Sequence, residues 1–525
     1  MTPWMLAQAQ PPSVPNTLLH VHVEYSRLLP EIILIVGALA MLTLSSLVKR
    51  RARPGLWPMC STAVSLAALG TSFWLWHQVD IHGQSLAVRG AVAVDQFSVF
   101  IMVTISSALV LASLIADHYL RQEGLDGPEL YVLALLCGAG GMLMGAANDL
   151  LVLFLGLEIL SIPLYVLAGF HRRRMESGEA AMKYFVLGAF SSALFLYGVA
   201  LTYGATGSTN LQEIAAFLAG NVIIHNGALL AGMVFLMVGL GFKVAAVPFH
   251  AWTPDVYQGA PTPVTGFMAA AAKAAGFAGL LRVLTVTFAT QRTDWQPIIW
   301  ALAVLTLVVG SVLAVVQQDI KRMLAYSSIN HAGYVLIGLQ AARAEGIAGS
   351  LFYLLAYTFM VLGSFAVVTL VAGRGDAAHG LESYRSLSTR RPGLALIFTV
   401  FLMAQAGVPF TSGFLAKFYV ISAAVKSHSY ALAVIGMLTA AVAAFFYLRV
   451  IVLMYSPPAE AEEQEKEASG GGGVAMAVTA EQSTRRITIP FTTGVALALA
   501  LAFTIAVGIF PSPVIDFARH STLLH

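Results

Sequence analysis

Apolar residues along this chain gather into runs of about 20 separated by short polar breaks, the length a helix needs to cross a hydrocarbon layer about 30 Å thick. The runs fall near residues 27–48, 55–77, 94–116, 130–147, 149–170, 182–204 and 228–250. Seven more follow near 262–289, 297–317, 322–341, 347–372, 394–425, 431–455 and 488–510. The pattern predicts an all-α, polytopic membrane protein with about 14 transmembrane helices. Between the sixth and seventh runs, "STNLQEIAAFLAG" has the spacing of a short surface helix. An acidic stretch and a glycine tract over residues 457–486 predict a flexible linker. The first residues, up to "SRLLPE", lack the basic flank and compact apolar core of a cleaved signal and read as a lead-in outside the membrane.

Composition agrees with this reading: 58% of the 525 residues are hydrophobic and 10% charged, against about a quarter charged in a soluble domain. A net charge of +3, scattered along the chain, excludes a nucleic-acid surface. Cys60 and Cys137 stand alone in apolar runs, so no zinc or iron-sulfur site is supported and both read as packing residues. Placement of charge says more than its total. The basic residues at 49–53, Arg121, the arginines at 172–174, Lys321, Arg322, Arg374, Arg385, Arg390, Arg391, Lys466, Arg485 and Arg486 all fall on one side of the predicted topology. The other side holds only Arg27, Arg89, Arg282, Arg292, Arg343, Lys426 and Arg519. Loops rich in Lys and Arg stay cytoplasmic, so both termini are expected on the non-cytoplasmic side. Arg449 lies near a span end, from which it can snorkel.

Two spans contain a Val-Pro-Phe flanked by small residues: "AAVPFHAW" around Pro248 and "AGVPFTSG" around Pro409. They lie in the seventh and twelfth spans, an odd number apart, so the second copy crosses the membrane in the opposite sense. That is the signature of an inverted repeat built on broken helices. Proline removes a backbone donor, and a carbonyl freed in hydrocarbon must be satisfied by protein or water. A lone proline kink used for packing is the plainer alternative, weakened by a lysine near each copy.

Four lysines remain deep in apolar sequence: Lys183, Lys243, Lys273 and Lys417, with Glu158 in "LVLFLGLEILSIPLYVL". Left isolated, these five charges would cost on the order of 12 to 17 kcal/mol, so they are expected to be paired or hydrated. Glu179 precedes Lys183 by one helical turn and can pair with it, although Lys183 also fits an ordinary interfacial lysine. Lys273 lies among alanines that let other helices approach closely. His250 sits at the first break, and Lys243 would share its face two turns away if the helix were unbroken. His331, in "SSINHAGYVLIGL", reads equally as a relay group or a satisfied core residue.

A buried lysine loses its charge on desolvation and regains it as a carboxylate approaches, the property a proton relay needs. A sodium or potassium site would need more carboxylates in mid-span than this chain offers. No nucleotide fingerprint opens a helix at the right spacing. Protons are therefore the expected cargo, and the chain itself shows no redox or ATP chemistry.

The segments "LEILSIPLYVLAGF", "AAMKYFVLGAFSSALFLYG", "GFKVAAVPFHAWTPDVYQGAPTPV", "QQDIKRMLAYSSINHAGY" and "GVPFTSGFLAKFYV" resemble the subunit N family of bacterial NADH-quinone oxidoreductase, respiratory complex I, over about residues 94–455. The resemblance implies two inverted five-helix repeats, residues 130–289 and 290–455, after three helices in 1–129 and before the linker at 456–487 and a last helix in 488–525. It implies that Glu158 partners Lys243, that Lys183 and Glu179 lie near proton entry, that Lys273 joins two half-channels and that Lys417 lies on the exit. It further implies a proton-pumping arm in the bacterial inner membrane. No cofactor or metal would be bound by this chain. Flavin, iron-sulfur clusters and quinone would belong to partner subunits, and neighbouring antiporter-like subunits and lipid would be its contacts. The insert at 457–486 is longer than the family leads one to expect. Two rival readings stand beside this one: a stand-alone cation/proton antiporter, and a scaffold whose charges only hold subunits together.

Overall fold

The computed structural model describes residues 23–47, 55–221, 226–458 and 488–523. The predicted lead-in, the basic cluster at 49–53 and nearly all of the linker at 457–486 lie outside the described residues. Each of the predicted apolar runs coincides with a helix: α1 (Leu29–Leu47), α2 (Leu56–His82), α3 (Gln96–Glu123), α4 (Glu129–Ala146), α5 (Leu150–Ala168), α6 (Met175–Thr206), then, after the surface helix α7 (Leu211–Gly220), α8 (Gly227–Val244). The chain continues through α9 (Trp252–Gly259), α10 (Thr262–Phe267), α11 (Lys273–Arg282), α12 (Arg292–Val315), α13 (Ile320–Ala341), α14 (Ala344–Ala372) and the short α15 (Leu387–Arg390). It ends with α16 (Pro392–Ala406), α17 (Ser412–Lys426), α18 (Tyr430–Tyr455), α19 (Phe491–Ile509) and α20 (Ser512–His520). A small antiparallel hairpin, β1 (Ser85–Ala87) with β2 (Val92–Val94), was not foreseen.

Among the described residues 12 helices are long and apolar enough to cross a membrane. The two remaining predicted spans miss this standard for opposite reasons. Helix α13 is long enough but carries Lys321, Arg322, Asn330, His331 and Gln340. Helices α16 and α17 are apolar but only 15 residues each, because the chain breaks between them.

Three segments form the centre: α3, α14 and the continuous helix of residues 262–287, apolar on all sides and buried almost throughout. In the last of these, π turns at Met268–Ala272 and Val283–Thr287 flank α11, which begins at Lys273. The polar ends of the bundle define two faces. At one, Arg174 at the head of α6 reaches Asp376 in the loop after α14, and Gly375 N donates to Glu123 at the foot of α3. At the other, Arg282 and Asp95 form a two-pronged ion pair at 2.8 Å in both branches, and Phe517 of α20 packs on Trp76 and Phe100.

One backbone pattern occurs at both faces. Asp149 caps α5 and bridges Asn210, while Leu150 N donates to Thr209 O and Leu211 N to Asn148 O. Asp319 caps α13 and bridges Gly380, while Ile320 N donates to His379 O and Leu381 N to Gln318 O.

Candidate functional site

Both breaks expected from the prolines are present. Helix α8 stops at Val244, where Ala245 adopts φ 61°, and the chain passes through turns around Pro248 before α9 begins at Trp252. Helix α16 stops at Ala406, Gly407 adopts φ 96° and Phe410 φ 65°, and α17 begins at Ser412 beyond Pro409. Positive φ is natural for Gly407 and unusual for Phe410.

The C-terminal end of a half-helix exposes carbonyl oxygens that attract cations, and three lysines gather at such ends. Lys243 lies in the last turn of α8. Lys417 folds back from α17 to donate to Ala406 O at 2.8 Å, with its amine 4.9 Å from the centre of the Tyr334 ring. Lys321 donates to Ala260 O, just past α9, at 2.6 Å. Lys321 was assigned by sequence to a cytoplasmic loop; it is instead fully buried, because it heads α13 against the end of α9.

Lys243, Lys273 and Lys417 are 3%, 3% and 6% exposed, and no carboxylate oxygen comes within 4.0 Å of any of them among the described residues. Lys243 donates to Ser161 Oγ at 2.8 Å and Tyr184 OH at 3.1 Å. The expected pairing with Glu158 is therefore absent from this structure. Glu158 lies one turn before Ser161, between the exposed Leu155 and Ile162, and its Oε1 is buried without a hydrogen-bond partner. Lys273 donates to the carbonyl of Ser328 on α13. All three amines are thus held by uncharged oxygen atoms.

Lys183 is different. Its side chain is 41% exposed and is clamped between Glu179 and Asp255, each at 2.7 Å. The i,i+4 pair with Glu179 was readable from spacing; Asp255, which also takes Arg322 at 2.7 Å, was overlooked although it stands in the motif around Pro248. Glu179, Lys183 and Asp255, with Arg174, Asp319, Asp376 and His379, line a polar cleft of about 550 Å³. Lys183 is a residue of the cleft mouth, not of the buried interior.

The histidines separate as well. His250 follows the break, so it shares no helical face with Lys243; it is half-buried and its Nδ1 lacks a partner. His331 is buried between two tyrosines, with Nδ1 2.6 Å from Tyr353 OH and Nε2 3.1 Å from Tyr447 OH. Tyr447 also meets Ser327 and, at 3.5 Å, Gln405 Oε1. Gln405 directly precedes the carbonyl that holds Lys417. Between Lys273 and His331, the hydroxyls of Ser328, Tyr257 and Tyr357 are buried without hydrogen-bond partners. Tyr184, Tyr353 and Tyr447 carried no signal in the sequence, since a tyrosine in an apolar run is ordinarily a packing residue.

Asp376, the loop carboxylate at the centre of the other missed cluster, accepts from Thr262 Oγ1 at 2.6 Å and Arg174 at 3.0 Å, and lies 3.3 Å from Lys321. Burial pushes its carboxyl up, but Lys321, His379 and Thr262 together hold it well below the usual carboxylate range. A depressed carboxylate contributes stability above its unfolded pKa near 4 and loses it only as pH falls through the lower folded value. Asp376 is therefore an anion at all physiological pH.

Gly276 on α11 faces Lys243: a Cβ there would lie 3.2 Å from Lys243 Cγ and 3.0 Å from Val244 Cγ1. Gly276→Val is expected to displace the Lys243 stem and destabilise the bundle by about 1–3 kcal/mol. Thermal unfolding of the purified protein and proton uptake in vesicles both test this; unchanged values in both contradict the packing described.

Interrupted helices and buried lysines held by neutral oxygens define an antiporter-like membrane subunit. The chain belongs to the NADH:quinone oxidoreductase/Mrp antiporter transmembrane family, whose sequence profile matches residues 147–443. It is 42% identical over 499 residues to the NADH-quinone oxidoreductase subunit N of Trichlorobacter lovleyi, covering 95% of this chain and 96% of that protein. It superposes with a TM-score of 0.74 at 32% identity on a chain of respiratory complex I from Thermus thermophilus with bound aureothin, covering 93% of this chain and 99% of that one. A chain of the Mrp complex from Dietzia shares the fold, with a TM-score of 0.80 at 20% identity over 94% of this chain and 96% of that one.

Proposed function

We infer that this chain is a proton-translocating membrane-arm subunit of an NADH-quinone oxidoreductase, embedded as a multi-pass protein in a bacterial membrane and surrounded by other subunits of that complex. Full-length similarity to relatives named as this subunit, and to chains of complex I, supports the reading. The observation that carries the chemistry is the set of three buried lysines with no carboxylate oxygen within 4.0 Å among the described residues. An amine in that setting gains and gives up a proton at small cost when a charge nearby changes, whereas a purely structural lysine is paired. Protons would enter through the cleft at Glu179, Lys183 and Asp255, and pass along Lys243, Lys273 and His331 to Lys417. Glu158 would act by approaching Lys243 from its present unpaired position. His250 and the breaks at Pro248 and Pro409 would supply polar backbone in mid-membrane.

The matching caps at Asp149 and Asp319 support two inverted repeats, residues 130–289 and 290–455, flanked by 1–129, 456–487 and 488–525. In that register Ser161, which takes Lys243, corresponds to His331. The arginine-rich face would be cytoplasmic and both termini non-cytoplasmic. Electrons would travel through flavin, iron-sulfur clusters and quinone in partner subunits, so this chain would contribute no redox step. Purification in mild detergent tests the assignment: co-isolation with flavin- and iron-sulfur-containing subunits is expected, and an isolated chain would favour a stand-alone antiporter.

A further inference from the structure

The cleft at the arginine-rich face holds a histidine that the path above does not use. His379, in the loop between α14 and α15, lines the cleft yet is only 6% exposed. Its Nε2 lies 3.2 Å from Asp376 Oδ1, and its Nδ1 has no hydrogen-bond partner among the described residues. Its backbone is pinned, since His379 O accepts from Ile320 N at 2.8 Å. The ring is thus held in place by the chain, with Nε2 against Asp376 and Nδ1 uncommitted.

We propose that His379 is a proton-collecting residue: it takes protons from solution at the cleft and passes them to the Glu179–Lys183–Asp255 group across it, with Asp376 as its fixed counter-ion. The proposal rests on the reading of this cleft as the proton entry. The neutral imidazole accepts a proton from solvent on one nitrogen and becomes imidazolium beside the Asp376 carboxylate. It then releases that proton through solvent in the cleft to the carboxylate of Glu179, and returns to neutral. No other bond changes.

The charges around the ring suit this cycle. Asp376 faces it from its own loop, and Asp319 at the head of α13 lines the same cleft. Lys321 of α13 and Arg174 at the head of α6 lie beyond Asp376 and are each bound to it. Across the cleft stand Glu176, Glu179 and Lys183 of α6 and Asp255 of α9. Asp376 itself cannot be the carrier, because its cations keep it ionised. A carrier of this kind matters most when protons in solution are scarce.

The test uses the assembled complex in sealed inverted vesicles, with the cleft face outward, and measures proton uptake and quinone reduction against external pH. His379→Gln is expected to lower the uptake rate about tenfold above pH of about 8, a loss typical of a removed local charge trap, and to leave it near the parental rate at about pH 6. Added imidazole should restore the rate at high pH. Parental uptake at every pH overturns the proposal, as does a uniform loss that imidazole does not relieve, which marks a structural role. If His379→Gln fails to assemble, His379→Glu restores a proton acceptor; pumping with its pH dependence moved to lower pH supports the proposal, and pumping with parental pH dependence overturns it. A Lys243→Met control separates the two readings: lost pumping there with no effect of His379→Gln removes only the role of His379, whereas full pumping in Lys243→Met removes the path itself.

Discussion

Replacing Lys273 by Met is expected to lower the initial rate of proton uptake by about tenfold or more, since proton-transfer groups contribute about 10²–10⁴ in rate, while the complex assembles in parental amount. Methionine nearly matches the volume of the lysine stem, so the alanine-lined pocket stays filled. What is lost is the amine, whose only described partner is the carbonyl of Ser328. That carbonyl belongs to a helix backbone, so its loss of one donor is tolerable. Lys273 lies between the two breaks and next to the unpartnered hydroxyls of Ser328, Tyr257 and Tyr357, a position with no evident substitute. Uptake measured in vesicles, with the amount of complex determined on the same membranes, checks the expectation. Parental uptake would remove Lys273 from the path.

The second large effect concerns assembly. Asp376→Asn leaves Lys321 fully buried with no ion-pair partner among the described residues, and takes from Arg174 the nearer of its two carboxylates. Removing one member of a buried ion pair costs about 3–5 kcal/mol, a large share of the stability of a domain. The variant is therefore expected to lose most of the assembled complex. Removing the stranded cation as well should reverse much of the loss, so the double variant Asp376→Asn with Lys321→Met is expected to assemble better than Asp376→Asn alone, as coupled neighbours require. Quantifying complex in solubilised membranes tests this, and a double variant no better than the single one would contradict the pairing.

How far the sequence could be read depended on the range of the interactions involved. Helices follow from local apolar runs, and the breaks at Pro248 and Pro409 follow from a backbone rule, so both were legible. So was the Glu179–Lys183 pair, one turn apart on α6. The Arg174–Asp376 and Lys321–Asp376 contacts join loops distant in sequence, and the positive-inside rule, which counts Lys321 as a loop charge, pointed away from its burial. Glu158 was expected beside Lys243 because the family resemblance implied it, yet Ser161, one turn further along α5, takes the lysine instead. His331 could not be assigned from its neighbours in sequence, since its two tyrosine partners come from α14 and α18.

The scaffold reading and the relay reading diverge most clearly at Lys243, whose amine hydrogen-bonds Ser161 and Tyr184 among the described residues. The measurement is proton uptake by Lys243→Met complex in vesicles, with quinone reduction and assembled complex recorded together. A relay predicts parental assembly with uptake reduced by about tenfold or more. Full uptake would contradict the relay, and failed assembly would favour the scaffold.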